Sequence, residues 1–188
     1  MLLNAPNLVT LLRIVLIPLI VGIFYLPDEW LSFQGKNLAG TVVFVVAAIT
    51  DWLDGYLART LNQMSAFGAF LDPVADKLVV VGALIVLLTL GRVDMVVGLI
   101  IIGREIAISA LREWMARVGQ SRSVAVALIG KVKTVGQMIA IPLLLYYGEL
   151  FGVVDCQWLG TILINFAALL TVVSMLYYLR KALPHART

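Results

Sequence analysis

Asp51-Trp52-Leu53-Asp54-Gly55-Tyr56-Leu57-Ala58-Arg59 is followed, after eight residues, by Gly68-Ala69-Phe70-Leu71-Asp72-Pro73-Val74-Ala75-Asp76. Four carboxylates and an arginine thus stand within 26 positions of a chain that is otherwise oily. Asp51 and Asp54 are three apart, and Asp72 and Asp76 four apart, so on helices each pair shares one face. The intervening segment is short. It makes the two helices antiparallel neighbours and lets all four carboxylates point into one cavity. A carboxylate inside a membrane costs at least about 2.5–3.5 kcal/mol on insertion scales, and four together repel one another. The pattern calls for compensating cations, and all-oxygen donors suit hard divalent ions such as Mg2+ or Mn2+. Taken singly, each of these acids reads as a solvated loop residue, and Asp72 before Pro73 reads as an ordinary helix start. Four at these spacings, with Gly55, Ala58 and Arg59 between them, are poorly explained that way.

The surrounding chain sets the fold class. Of 188 residues, 62% are apolar and 13% charged, against about 45–50% and 25% in soluble domains. Mean hydropathy is +1.02. A soluble fold of this size cannot bury so much apolar surface, so a bilayer must solvate much of it. A spanning helix needs about 20 mostly apolar residues. Six segments meet that need, at about 8–26, 38–57, 70–90, 95–111, 132–147 and 159–179. The expectation is a single domain over 1–188, an all-α integral membrane protein of six transmembrane helices with a polar, cytoplasm-facing cavity. The first apolar run ends in Tyr25-Leu26-Pro27-Asp28 without a small-x-small cleavage pattern, so it reads as a retained helix. Cys156 is the only cysteine, which excludes an intrachain disulfide and a cysteine metal cluster. The basic residues form no tail or stripe, which argues against nucleic acid as a partner.

Charge asymmetry orients the helices. With a cytoplasmic N-terminus, one side collects Arg13, Arg59, Lys77, Arg104, Arg112, Arg117, Arg122, Lys131, Lys133, Arg180, Lys181 and Arg187. The other holds Lys36 and Arg92 beside Asp28, Glu29, Asp94, Glu149 and Asp155. Positive charge stays inside, so both termini are expected in the cytoplasm. Trp30, Trp52, Trp114 and Trp158 fall near span ends, as an aromatic belt does.

The pattern Asp51-x2-Asp54-Gly55-x2-Ala58-Arg59-x8-Gly68-x3-Asp72-x3-Asp76 resembles, at every position, the signature of the CDP-alcohol phosphatidyltransferase family. That resemblance implies six membrane helices, a CDP-linked lipid donor and two divalent metal ions per site. It implies metal ligation by Asp51, Asp54 and Asp72, and a general-base role for Asp76, with ligation by Asp76 left open. Gly55, Ala58, Arg59 and Gly68 map onto the nucleotide and diphosphate pocket. The opening Asn4-Ala5-Pro6-Asn7-Leu8-Val9-Thr10-Leu11-Leu12-Arg13 is also similar to the family's bacterial members. Asn7, Thr10 and Arg13 then line the nucleotide pocket, although Asn7 and Thr10 equally suit a helix cap.

The remaining polar stretches bear on the acceptor. Gly103-Arg104-Glu105-Ile106 and Ser109-Ala110-Leu111-Arg112-Glu113 lie at one end of the fourth segment, and Gly130-Lys131-Val132-Lys133-Thr134 opens the fifth. Arg104 and Arg112 are eight apart, which puts them on one helical face. With Lys131, Lys133 and an interfacial Tyr177 they could build an anion site. A phosphorylated acceptor needs one, because the donor diphosphate occupies the metals. The positive-inside rule alone accounts for Arg117 and Arg122, but less well for Arg104 deep in an apolar run. These stretches resemble those of bacterial members acting on sn-glycerol 3-phosphate. The resemblance implies phosphatidyl transfer from CDP-diacylglycerol to that acceptor, in a homodimer of the bacterial inner membrane. Another phosphorylated acceptor, such as inositol phosphate, stays open. A cation transporter is the competing class. It calls for carboxylates near mid-membrane on several helices, whereas these cluster at one end of two.

The orientation is testable by thiol labelling. In a Cys156→Ala background, Ser123→Cys is expected to react with an impermeant reagent only after the inner face is opened. Labelling in intact cells overturns the orientation.

Overall fold

The computed structural model describes residues 5–60, 66–117 and 128–182. Six helices follow one another: α1 Ala5–Tyr25, α2 Phe33–Thr60, α3 Ala66–Thr89, α4 Met95–Arg117, α5 Leu128–Tyr146 and α6 Cys156–Ala182. Between α5 and α6 lies a small antiparallel ribbon of β1 Glu149–Leu150 and β2 Val154–Asp155, with Glu149 opposite Asp155 and Leu150 opposite Val154. The ribbon turns through Phe151 and Gly152, both at positive φ, as in mirror-image hairpin turns.

Long apolar runs become helices because a helix satisfies its own backbone polar groups where water is absent. Among the described residues, three stretches are long and apolar enough to cross a membrane: Asn7–Tyr25, Phe33–Asp51 and Cys156–Tyr177. Val132–Tyr146 is a shorter apolar helix. α3 is interrupted by Asp72, Asp76 and Lys77, and α4 by Arg104 and Glu105. The helices also outrun the apolar segments. α2 continues to Thr60, so the Asp51–Arg59 stretch forms its last turns. α3 begins at Ala66, which places Asp72 and Pro73 inside it. The helix-start reading of Asp72 is therefore wrong. Pro73 removes the bond its own N–H would have made one turn back and crowds the carbonyl there, yet α3 runs on through it.

α1 packs against α2 and α3, while α5 packs most extensively on α6 and also on α2, and α4 packs on α6 and α3. Phe44, Leu84, Leu87, Ile101, Ile141, Leu144 and Leu145 are fully buried between them. Two glycines allow close helix contact. A Cβ at Gly40 would lie 2.7 Å from the Phe24 ring, and one at Gly160 would lie 2.8 Å from Leu144 Cγ. The outward faces present Leu8, Val15, Leu99, Phe166 and Leu169, the surface a bilayer solvates.

At the end of the bundle away from the aspartates, Arg92 forms a clasp. Gly91 has φ 67°. Its N–H bonds to the Leu88 carbonyl at 3.0 Å, and that of Arg92 to the Leu87 carbonyl at 2.9 Å. This is a Schellman stop for α3, and Gly fits its left-handed position. The stop aims Arg92 at the carbonyls of Leu144 (2.9 Å) and Leu145 (2.8 Å) and at Asn37 Oδ1 (2.7 Å). Those carbonyls are among the last of α5, which have no partner within their own helix. The guanidinium also stacks on Tyr147, 4.3 Å from the ring centre, and on Phe33 at 5.3 Å. Burial lowers its pKa, opposed by Tyr147, but a guanidinium stays charged and must be paired.

Arg92→Ala is expected to cost about 2–4 kcal/mol, because charged hydrogen bonds are lost and buried acceptors orphaned. Thermal unfolding in detergent should show a clear fall in midpoint. An unchanged midpoint refutes the clasp.

Candidate active site

One face of α1 supplies the first polar layer. Asn7, Thr10 and Arg13 are spaced by three and are all buried. The buried Thr10 hydroxyl donates to Asp72 Oδ1 at 2.6 Å. Asn7 and Thr10 thus stand inside α1, and Thr10 reaches across to α3, so the capping alternative gives way. Arg13 is 1% exposed and extends one guanidinium nitrogen to two carboxylates: Asp51 of α2 at 3.2 Å, and Asp76 of α3, still closer. Three helices therefore meet on one cation. The aspartates are not sealed by this pairing, since their side chains remain 49% and 44% exposed.

Their open sides face a cavity of about 360 Å3. Arg13, Asp51, Asp76, Lys77, Arg104 and Glu105 give it a charged lining, and Val79, Val80 and Met138 an apolar one. On the α4 side, Arg104 pairs with Glu105 at 3.1 Å and lies 3.5 Å from Ser174 Oγ of α6. Glu105 also pairs tightly with Lys133 of α5, which is 1% exposed. One carboxylate thus holds two buried cations on two helices.

The residues expected from sequence fall into three groups. Asp51, Asp76, Arg13 and Arg104 share the cavity, with Asp72 tied to Thr10 beside them and Lys133 buried behind Glu105. Gly68 is buried in α3, and Tyr177 is an exposed residue of α6. The side chains of Asp54, Gly55, Ala58, Arg59, Arg112 and Lys131 lie outside the described residues. Sequence reasoning missed Glu105, which it quoted only as part of a basic stretch. The available signal was an acid flush against Arg104 within an apolar run, where it must meet positive charge. Gln137 of α5 also lines the cavity unforeseen, beside Thr134 of the Gly130–Thr134 stretch.

Among the described residues, no group of three or more His, Cys, Asp or Glu side chains converges as a metal site. Asp51 and Asp76 do converge as a pair. They are half-open, offer only oxygen, and already share one positive charge. That donor chemistry fits a hard divalent ion.

The family model for CDP-alcohol phosphatidyltransferases matches residues 3–177. Curated relatives named CDP-diacylglycerol–glycerol-3-phosphate 3-phosphatidyltransferase, from Escherichia coli (strain K12) and Shigella flexneri serotype 5b (strain 8401), are 47% identical over 187 residues. The match covers 95% of this chain and 94% of each relative. It extends from the buried polar face of α1 through the aspartates to the Arg104 and Lys133 cluster. The chain belongs to the CDP-alcohol phosphatidyltransferase family.

Proposed function

We propose that this protein transfers the phosphatidyl group of CDP-diacylglycerol to sn-glycerol 3-phosphate, yielding phosphatidylglycerophosphate and CMP. The observation that carries this reading is one cavity with two kinds of wall. Asp51 and Asp76 supply one, suited to cations. Arg104, with Lys133 behind Glu105, supplies the other, suited to a phosphate. Near-full-length identity to enzymes named for this reaction supports the choice of acceptor. The cation-transporter reading has no comparable support.

In this mechanism the primary hydroxyl of glycerol 3-phosphate attacks the phosphorus that carries diacylglycerol. The bond from that phosphorus to the CMP oxygen breaks, and the hydroxyl proton passes to Asp76. Asp51, Asp54 and Asp72, with Asp76 close by, would hold two divalent ions, Mg2+ or Mn2+. When bound, these neutralise the donor diphosphate and the departing CMP. Arg59 and the small residues Gly55, Ala58 and Gly68 accommodate the nucleotide and diphosphate. Asn7, Thr10 and Arg13 line the nucleotide pocket, and Thr10 and Arg13 also hold Asp72, Asp51 and Asp76. Arg104, Arg112, Lys131, Lys133 and Tyr177 receive the acceptor phosphate.

The setting is a bacterial inner membrane crossed by all six helices, with both termini and the cavity mouth on the cytoplasmic side. The domain spans 1–188 and works as a homodimer. The acyl chains of the donor stay in lipid while its headgroup enters the cavity.

CMP release tests the reading. Purified protein with CDP-diacylglycerol is expected to release CMP only when glycerol 3-phosphate and a divalent ion are both present. Excess EDTA should abolish turnover, and Mg2+ or Mn2+ should restore it. Turnover with a neutral acceptor alone refutes the assignment. Arg112→Ala is expected to lower kcat/KM for glycerol 3-phosphate by roughly 10- to 150-fold, the worth of one charged hydrogen bond. CDP-diacylglycerol binding should hardly change. Asp76→Asn should bind both substrates while kcat collapses.

A further inference from the structure

We propose that Glu105 is a positioning residue that acts as the internal counter-anion of the acceptor pocket, occupying Arg104 and Lys133 until a phosphate takes them over. The inference rests on the acceptor-site reading of those two cations. Lys133 and Arg104 are almost wholly buried, with side-chain exposures of 1% and 8%. Two such charges in an apolar bundle need a partner, and Glu105 contacts both.

Three features make Glu105 a stand-in rather than a fixed strut. Its side chain is 20% exposed, more than either cation it holds. It lines the same cavity as Asp51, Asp76 and Arg104, so an entering anion meets its carboxylate beside the cation it would take over. Its carboxylate offers the acceptor chemistry of a phosphate, and so competes with one for the same N–H donors. The cluster of Glu105 with Arg104 and Lys133 pairs one anion with two cations, so its own three charges leave one net positive. That charge attracts a phosphate monoester, and the carboxylate limits how tightly it is kept. The product carries the same phosphate monoester and has to leave. Internal competition keeps affinity in a range that permits release.

The sign of the effect separates this role from a structural one. If Glu105 only held α4 to α5, its loss would splay the cations and weaken phosphate binding. As a competitor, its loss strengthens binding. The probes are inorganic phosphate and glycerol 3-phosphate, measured by calorimetry on the full-length protein in detergent and by the KM for glycerol 3-phosphate. Glu105→Gln keeps the shape and removes the charge. It is expected to tighten both ligands by roughly tenfold, about the worth of one charged hydrogen bond, and to lower KM to match. Glu105→Asp should stay near the parent protein. Lys133→Gln alone should weaken phosphate at least tenfold.

Should Glu105→Gln fail to fold, the paired change Lys133→Gln with Glu105→Gln restores the cluster to one net positive charge. It is expected to bind phosphate about tenfold more tightly than Lys133→Gln alone. Weaker or unchanged phosphate binding on losing the Glu105 charge, in either background, overturns the counter-anion role while leaving the acceptor pocket in place. Phosphate binding that ignores Lys133 altogether overturns the acceptor reading, and this proposal with it.

Discussion

Burying Arg13 is the constraint on which the rest of the architecture depends. A guanidinium cannot shed its charge, and inside an apolar bundle it persists only where acceptors meet it, which for Arg13 are carboxylates. Asp51 comes from α2 and Asp76 from α3, so satisfying Arg13 fixes where three helices cross. The same pairing serves the acids, which would otherwise repel across a short gap. Arg13 is the buried member, and a buried charge left without its partners is strongly destabilising. The site is thus held by the charges it displays.

Glu105 mirrors this arrangement with the signs exchanged. There one anion holds two cations, on α4 and α5, and Arg104 reaches on toward Ser174 of α6. All six helices therefore contribute to two ion clusters of opposite character that share one cavity. At the far end, the Arg92 clasp ties the α3–α4 turn to α2 and α5 by ordinary structural hydrogen bonding. Stability at that end relies on satisfied backbone carbonyls. At the cavity end it relies on paired charges left partly open, which is the arrangement a charged reaction needs.

How much of this was legible in the sequence depended on the range of each interaction. Apolar runs gave six helices, because backbone hydrogen bonding in an apolar medium leaves few alternatives. The aspartate spacing pointed to the end of α2 and α3 where Asp51 and Asp76 meet Arg13, because i,i+3 and i,i+4 relations are local. Helix ends were less legible. α2 runs past its apolar segment to Thr60 and α3 starts ahead of its own at Ala66, so Asp72 lies well inside α3 in spite of Pro73. Long-range pairings were illegible. Nothing in the order of residues says that Glu105 meets Lys133, or that Thr10 meets Asp72 across 62 positions. Arg92 looked like one stray charge on the acidic side, and its clasp follows from a Gly91 turn that no hydropathy pattern reveals. The ribbon between α5 and α6 is too short to leave a periodic signal.

A double-mutant cycle on Arg13 and Asp76 tests the central claim most directly. Unfolding free energies would be measured in detergent, without metal, for Arg13→Gln, Asp76→Asn and the double variant. Asp76→Asn leaves Arg13 with Asp51 alone, and Arg13→Gln leaves two half-exposed carboxylates side by side, so each is expected to lose about 1–3 kcal/mol. The double variant removes both members of that pair, so its loss should fall short of the sum, with a coupling of about 1–2 kcal/mol. Losses that simply add would mean that Arg13 and Asp76 do not hold one another, and the account of how this cavity is built would be contradicted.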